Sequence, residues 1–288
     1  TLNNVKTPSF SPRLSSFSTP KKELSVSNIS NCKNNNRKNK IPSSTSKLPS
    51  LHLKLNKNPS LGSSCSLTTQ YLLKHSTLST LSLALNPKIR EDGARVISEW
   101  MLSSSSNSMT WLDVSGCDLD ADGIQWILNT INACPMLLHV NVSNNIVDGR
   151  RSNFSISDSL HNSLFNNTSL TSFNISDNAL WESEIKTILT IFQHNFTLHS
   201  LNMQRTNMKQ ISDSGALDSM MSSSCSCSLS SLNIARNGLS AKNISIFFSP
   251  SYLHRLTSLI LDGNMINDRV ARLCGEYLEG NESMRVLK

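Results

Sequence analysis

The chain has 288 residues, and its 27 Lys+Arg against 20 Asp+Glu give a formal net charge of +7. Residues 1–50 hold nine basic side chains (Lys6, Arg13, Lys21, Lys22, Lys33, Arg37, Lys38, Lys40 and Lys47) against Glu23 alone, so that stretch carries +8 and residues 51–288 sum to −1. A neutral body behind a basic tail argues against a basic nucleic-acid-binding domain, and no apolar run approaches the ~18 residues that a membrane helix needs.

Seven cysteines at irregular spacing do not read as a disulfide framework. Nor do they show the paired Cys-x-x-Cys spacing of a zinc site. Nine Asn-x-Ser/Thr sequons occur, at Asn28, Asn141, Asn153, Asn166, Asn167, Asn174, Asn195, Asn243 and Asn281. With 32 Asn and 70 Ser+Thr in the chain, chance alone produces roughly 8. They are no signal for secretion, and a reducing, cytoplasmic setting is expected.

Residues 1–47 are rich in Ser, Asn and Lys and lack sustained apolar periodicity. They are expected as a disordered basic tail.

From residue 48 onward one apolar pattern, L-x-x-L-x-L-x-x-N-x-L, recurs. Its copies begin with Leu48, Leu51, Leu53, Asn56, then Leu78, Leu81, Leu83, Asn86, then Met109, Leu112, Val114, Cys117, Leu119. They continue through Leu137, Val140, Val142, Asn145, Val147 and Leu170, Phe173, Ile175, Asn178, Leu180. Next come Leu198, Leu201, Met203, Thr206, Met208, then Leu229, Leu232, Ile234, Asn237, Leu239, and finally Leu256, Leu259, Leu261, Asn264, Ile266. Met284 and Leu287 open one more. The second apolar position falls at 51, 81, 112, 140, 173, 201, 232, 259 and 287, at spacings of 30, 31, 28, 33, 28, 31, 27 and 28.

The alternation in L-x-L predicts a short strand with one inward and one outward set of side chains. The Asn position, filled by Cys117 and Thr206 in two copies, must satisfy backbone groups where the chain leaves the strand. The second half of each unit has helical spacing, as in Ala94, Val96, Ile97, Met101, in Ile124, Trp126, Ile127, Ile131, in Ile185, Ile188, Leu189, Phe192, and in Val270, Leu273, Cys274, Leu278. Glu91-Asp92-Gly93 and Asp120-Ala121-Asp122-Gly123 are expected as tight turns into those helices. Serine-rich insertions at residues 102–108 and 222–230 are expected as surface loops.

This pattern resembles the ribonuclease-inhibitor-like leucine-rich repeats over residues 48–288. The resemblance implies an α/β solenoid, or horseshoe, with a parallel sheet inside, helices outside and about eight repeats. The array is expected to be truncated at its carboxy-terminal end, where the chain stops just inside a repeat.

No His-Glu-x-x-His, phosphate loop, Gly-x-Ser-x-Gly or glycine-rich nucleotide fingerprint occurs, so neither enzymatic activity nor a cofactor is expected. A solenoid offers a long sheet surface to a protein partner instead. The outward strand position is expected to carry His52, Ser82, Asp113, Asn141, Asn174, Asn202, Asn233 and Ile260, a polar row with four asparagines after an aspartate. Arg205 and Arg236 stack beyond it in adjacent repeats with Asp177 before them, and Trp111 stands just before an inward leucine as a candidate aromatic anchor. The candidate partner-binding set is therefore Trp111, Asp113, Asn141, Asn174, Asn202, Arg205, Asn233 and Arg236.

An alternative lies in the longest unit, where Ser143-Asn-Asn-Ile-Val-Asp-Gly-Arg150-Arg151 is similar to the arginine loop of Ran GTPase-activating proteins. There the resemblance implies an arginine that serves a small GTPase partner and stabilises charge on a transferring phosphoryl group. The stretch 140–174 and the segment 201–209 also resemble CARMIL-type actin regulators, which implies cytoskeletal or signalling partners.

Overall fold

A computed structural model describes residues 51–57, 78–103, 108–146, 154–212, 228–248 and 256–288. The basic tail, Arg150 and Arg151, and most of both serine-rich insertions lie outside the described residues.

Nine strands form one sheet in strict chain order. They are β1 (Leu51–Lys54), β2 (Leu78–Ser82), β3 (Trp111–Asp113), β4 (His139–Asn141), β5 (Ser172–Asn174), β6 (Ser200–Asn202), β7 (Ser231–Asn233), β8 (Ser258–Ile260) and β9 (Val286–Leu287). Every neighbouring pair is parallel. Between the strands stand α1 (Arg90–Met101), α2 (Asp120–Leu128), α3 (Ser157–Leu164), α4 (Glu182–His194), α5 (Lys209–Ser212), α6 (Ala241–Phe247) and α7 (Asp268–Glu279). This is the leucine-rich repeat solenoid that the pattern implied.

The register explains why the repeat folds this way. Leu81, Leu112, Val140, Phe173, Leu201, Leu232 and Leu259 pair in one row across the strands, and every one of them is buried. Their neighbours on each strand point the other way, as a pleated chain requires. Helix residues such as Ala94, Ile97, Ile124, Ile127, Leu160, Ile185 and Ile188 close the core from the opposite side, at 0–1% exposure. No single unit covers both faces of its own apolar layer, so the core is one continuous cluster running from Leu78 to Val270.

Polar cement runs beside that core. The Asn178 carboxamide, fully buried, donates to the carbonyls of Val142, Ile175 and Ser176 at 3.1, 2.9 and 3.2 Å. Its Oδ1 accepts the backbone N–H of Asn145 and of Ile146 at 2.8 and 2.7 Å. Asn145 serves the unit before it in the same way, donating to Val114 and Val142 and accepting from the N–H groups of Cys117 and Leu119. Asn86, Asn237 and Asn264 donate to the same pair of carbonyl positions, one in the preceding unit and one in their own. Cys117 keeps a reduced version of the role, its thiol 3.1 Å from the Leu83 carbonyl. Thr206 keeps less still, with its hydroxyl on Met203 at 2.8 Å.

Three expectations are corrected. In the first copy, Leu53 pairs with Leu81 and Lys54 with Ser82, while His52 stands opposite Thr80. The outward row therefore begins at Lys54, not His52, and Asn56 occupies the position of Ala84. The alternation runs through Leu51, Leu53 and Leu55, so two registers fit the apolar pattern. Backbone bonds from Leu55 to Ser82 and from Lys57 to Ala84, at 2.9 and 3.0 Å, select the later one.

Gly93 and Gly123 are not turn residues but lie in the first turns of α1 and α2. A Cβ there would stand 2.4 Å from Ile89 Cγ2 and 2.7 Å from Leu119 Cβ. The bend into each helix falls at Arg90, just before the first motif, and at Asp120, the opening residue of the second, with φ of 51° and 53°. Finally, Trp126 and Leu278 lie off the buried faces of their helices, at 40% and 43% exposure.

Candidate functional site

The open face of the sheet, concave in arrays of this type, carries two outward rows. The first is Thr80, Trp111, His139, Ser172, Ser200, Ser231 and Ser258, and the second is Ser82, Asp113, Asn141, Asn174, Asn202, Asn233 and Ile260. Where β3 to β6 lie side by side, these rows form a groove of about 220 Å³. Trp111, His139, Asn141, Ser172, Asn174, Ser200 and Asn202 line it, over a floor of Val140 and Phe173.

Trp111 is 41% exposed and leans on His139, with ring centroids 4.7 Å apart and planes at 41°. Burial among these neighbours lowers the His139 pKa below its ordinary 6.5, which favours the neutral imidazole at the aromatic end of the groove.

The asparagine row has a structural duty that its sequence did not reveal. Each Oδ1 accepts the backbone N–H two residues ahead, fixing the chain as it leaves the strand. The bonds are Ser143 to Asn141, Ser176 to Asn174, Gln204 to Asn202 and Ala235 to Asn233, all at 3.1 Å. Asp113 does the same for Ser115 at 3.0 Å, and also accepts from the hydroxyls of Ser115 and Ser82. Each acceptor oxygen of the row thus commits one of its two lone pairs within the chain. The Nδ2 groups of Asn141, Asn174 and Asn202 have no hydrogen-bond partner among the described residues, whereas that of Asn233 reaches Gln204 Oε1 at 3.4 Å.

The structure thus brings Trp111, Asn141, Asn174 and Asn202 into one groove and leaves the other candidates around it. Asp113 is engaged with its own turn, and Asn233 sits one strand beyond. Arg205 and Arg236 occupy the turn past the strand ends, in the left-handed region at φ of 53° and 56°. Arg205 pairs with Asp177 at 3.2 Å, which answers its charge locally. Arg150 and Arg151 lie outside the described residues.

His139, Ser172 and Ser200 were missed. The signal for them was the position of Trp111, one residue before the inward apolar residue, carried forward to the next copies. Among the described residues, no three His, Cys, Asp or Glu side chains cluster closely enough to hold a metal ion. No helix among them is long and apolar enough to cross a membrane.

No family model matches the chain, and no curated protein matches it. Among solved structures it is similar to a tropomodulin C-terminal domain from Caenorhabditis elegans, at 13% identity and a TM-score of 0.41, over 55% of this chain and 93% of that one. The Rad7 and Elc1 complex of yeast contains a chain 18% identical, with a TM-score of 0.45, over 81% of this chain and 62% of that one. The leucine-rich repeat-containing protein LegL7 from Legionella pneumophila is 16% identical, with a TM-score of 0.42, over 82% of this chain and 89% of that one.

Proposed function

We propose that the chain is a non-enzymatic, cytoplasmic protein-interaction scaffold that takes its partner on the open face of β3 to β6. The observation that carries this reading is the coincidence, in one groove, of an exposed aromatic platform and a row of amide donors that nothing among the described residues engages. Elsewhere the outward rows carry small hydroxyl side chains, residues bonded within the chain and, at the β8 end, Ile260. A half-exposed tryptophan held by a second ring is the type of side chain that anchors interfaces. The leaning towards cytoskeletal or signalling partners rests on the resemblance to CARMIL-type regulators.

The test is affinity capture from native cytosol with the full chain as bait, run beside a Trp111→Ala, Asn174→Asp variant. The reading expects a defined set of proteins to be retained by the first bait and lost from the second, with both baits equally folded by circular dichroism. Retention of the same proteins by both baits would overturn it.

A further inference from the structure

The chemistry of the groove narrows its occupant, on the premise that this face binds a partner. Along β4 to β6 the carboxamides of Asn141, Asn174 and Asn202 offer more donors than acceptors, because each Oδ1 already commits one of its two lone pairs to a backbone N–H of its own chain while both Nδ2 protons are unengaged among the described residues. The hydroxyls of Ser172 and Ser200 beside them rotate to donate or accept. A ligand bringing carbonyl oxygens is matched by this row. One bringing a backbone N–H at every residue finds fewer acceptors than donors, and each N–H left unmade under the ligand is costly.

The groove is also close to neutral. Among the described residues His139 is the one titratable group lining it, while Asp113 is tied to its turn and Arg205 to Asp177. Carboxylates and ammonium groups have no fixed counter-charge here, so the acceptors are backbone carbonyls and not acidic side chains.

Proline-rich polypeptide fits these requirements. It lacks N–H groups at proline, and as a polyproline II helix it forms no internal hydrogen bonds, leaving its carbonyls available. Its period fits as well. Three residues advance it by about 9.3 Å, and two strand spacings span roughly 9.6 Å. Carbonyls three residues apart therefore fall in step with Asn141 on β4 and Asn202 on β6, with Trp111 on β3 placed to take a prolyl ring on its face.

We propose that this groove seats a proline-rich segment of the partner, laid across β3 to β6 with its carbonyls on Asn141 and Asn202 and a proline against Trp111.

The test titrates the full chain with a capped nonaproline peptide and with a capped Gly-Ser nonapeptide, by isothermal titration calorimetry. Saturable binding of nonaproline and none of the Gly-Ser peptide is expected. The decisive variant is Asn141→Asp with Asn202→Asp. It keeps both turn-closing oxygens, as Asp113 does in the same row, so the fold survives, but it replaces two donors by acceptors. Two lost hydrogen bonds at about 5-fold each predict a weakening of about 25-fold or more.

Absence of nonaproline binding would overturn the inference. So would equal binding of the Gly-Ser peptide, or unchanged affinity in a double variant with wild-type circular dichroism. If nonaproline fails while proteins captured from cytosol still depend on Trp111, the proline assignment falls and the scaffold reading stands. If capture is indifferent to Trp111 as well, both fall.

Discussion

Replacing Asn178 by Ala probes the hydrogen-bond ladder at one of its most connected rungs. The side chain is fully buried, and its removal strands the N–H groups of Asn145 and Ile146, which reach Oδ1 at 2.8 and 2.7 Å. A buried donor deprived of its acceptor costs ~1–3 kcal/mol. The carbonyls of Val142, Ile175 and Ser176 lose a donor as well, so the total is about 3–5 kcal/mol. Thr206→Val is the control. It removes one bond, from the hydroxyl to Met203 at 2.8 Å, and leaves the Thr206 N–H on Asn237 Oδ1, for a loss of about 1 kcal/mol. Urea unfolding followed by far-UV circular dichroism measures both, with the denaturant slope checked because repeat arrays can lose cooperativity. If Asn178→Ala costs under about 1 kcal/mol, or no more than Thr206→Val, the ladder does not hold the turns as argued.

Gly93→Ala is expected to lower the melting temperature, since the new Cβ meets Ile89 Cγ2 at 2.4 Å and overpacking costs ~1–3 kcal/mol. Gly275→Ala in α7, where nothing lies within 4 Å of the new Cβ, is expected to raise stability by about 0.4–1 kcal/mol. A reversal of that order would refute the packing argument. Ser98 on α1 is 1% exposed and its hydroxyl has no partner among the described residues, so Ser98→Ala should leave the urea midpoint unchanged or higher. A drop of 1 kcal/mol or more would show that the hydroxyl is satisfied after all. Burial pushes the Cys117 thiol up from 9.0 to about 12. Below pH 9 both folded and unfolded chains keep this proton. Above it only the unfolded chain releases it, so stability falls with rising pH by about 1.4 kcal/mol per unit from this group. A Cys117→Asn variant should show a shallower alkaline decline in urea midpoints measured from pH 8 upward, and an identical slope would contradict the assignment.

The fold was legible because a solenoid maps sequence onto structure almost without long-range choice. Each unit packs on the next, so an apolar period of about 28 residues places Leu81, Leu112, Val140, Phe173 and their successors in one row before any contact is known. Legibility failed where the pattern was locally degenerate. Leu51, Leu53 and Leu55 satisfy the alternation in two registers, and only backbone pairing with β2 decides between them. It failed again at Gly93 and Gly123, where a turn-like motif hides a steric need set by a residue four positions back. The site was half legible. The outward row and Trp111 follow from alternation, but the division of each asparagine into a held oxygen and an available amide is a matter of turn geometry that spacing does not encode.

The turn-closing role of the oxygen extends to a second asparagine position, where a helix returns to the next strand. Asn167, Asn195 and Asn281 accept the N–H groups two and three residues ahead, from Ser169 and Leu170, Thr197 and Leu198, and Ser283 and Met284. Together with Asn141 and Asn174 they account for five of the nine sequons. Their number matches chance while their placement does not, since each Ser or Thr two residues on belongs to the turn that its asparagine closes. Asn167 and Asn195 are 6% and 4% exposed and donate to Asn132 and to the Leu164 carbonyl, so these amides belong to the fold and leave no room for a glycan. An architecture that uses asparagine this heavily makes polar rows a poor guide to binding. What distinguishes β3 to β6 is the break in the other row, where Trp111 and His139 replace the Ser and Thr of neighbouring strands, beside the amides of Asn141, Asn174 and Asn202 that the turns leave available.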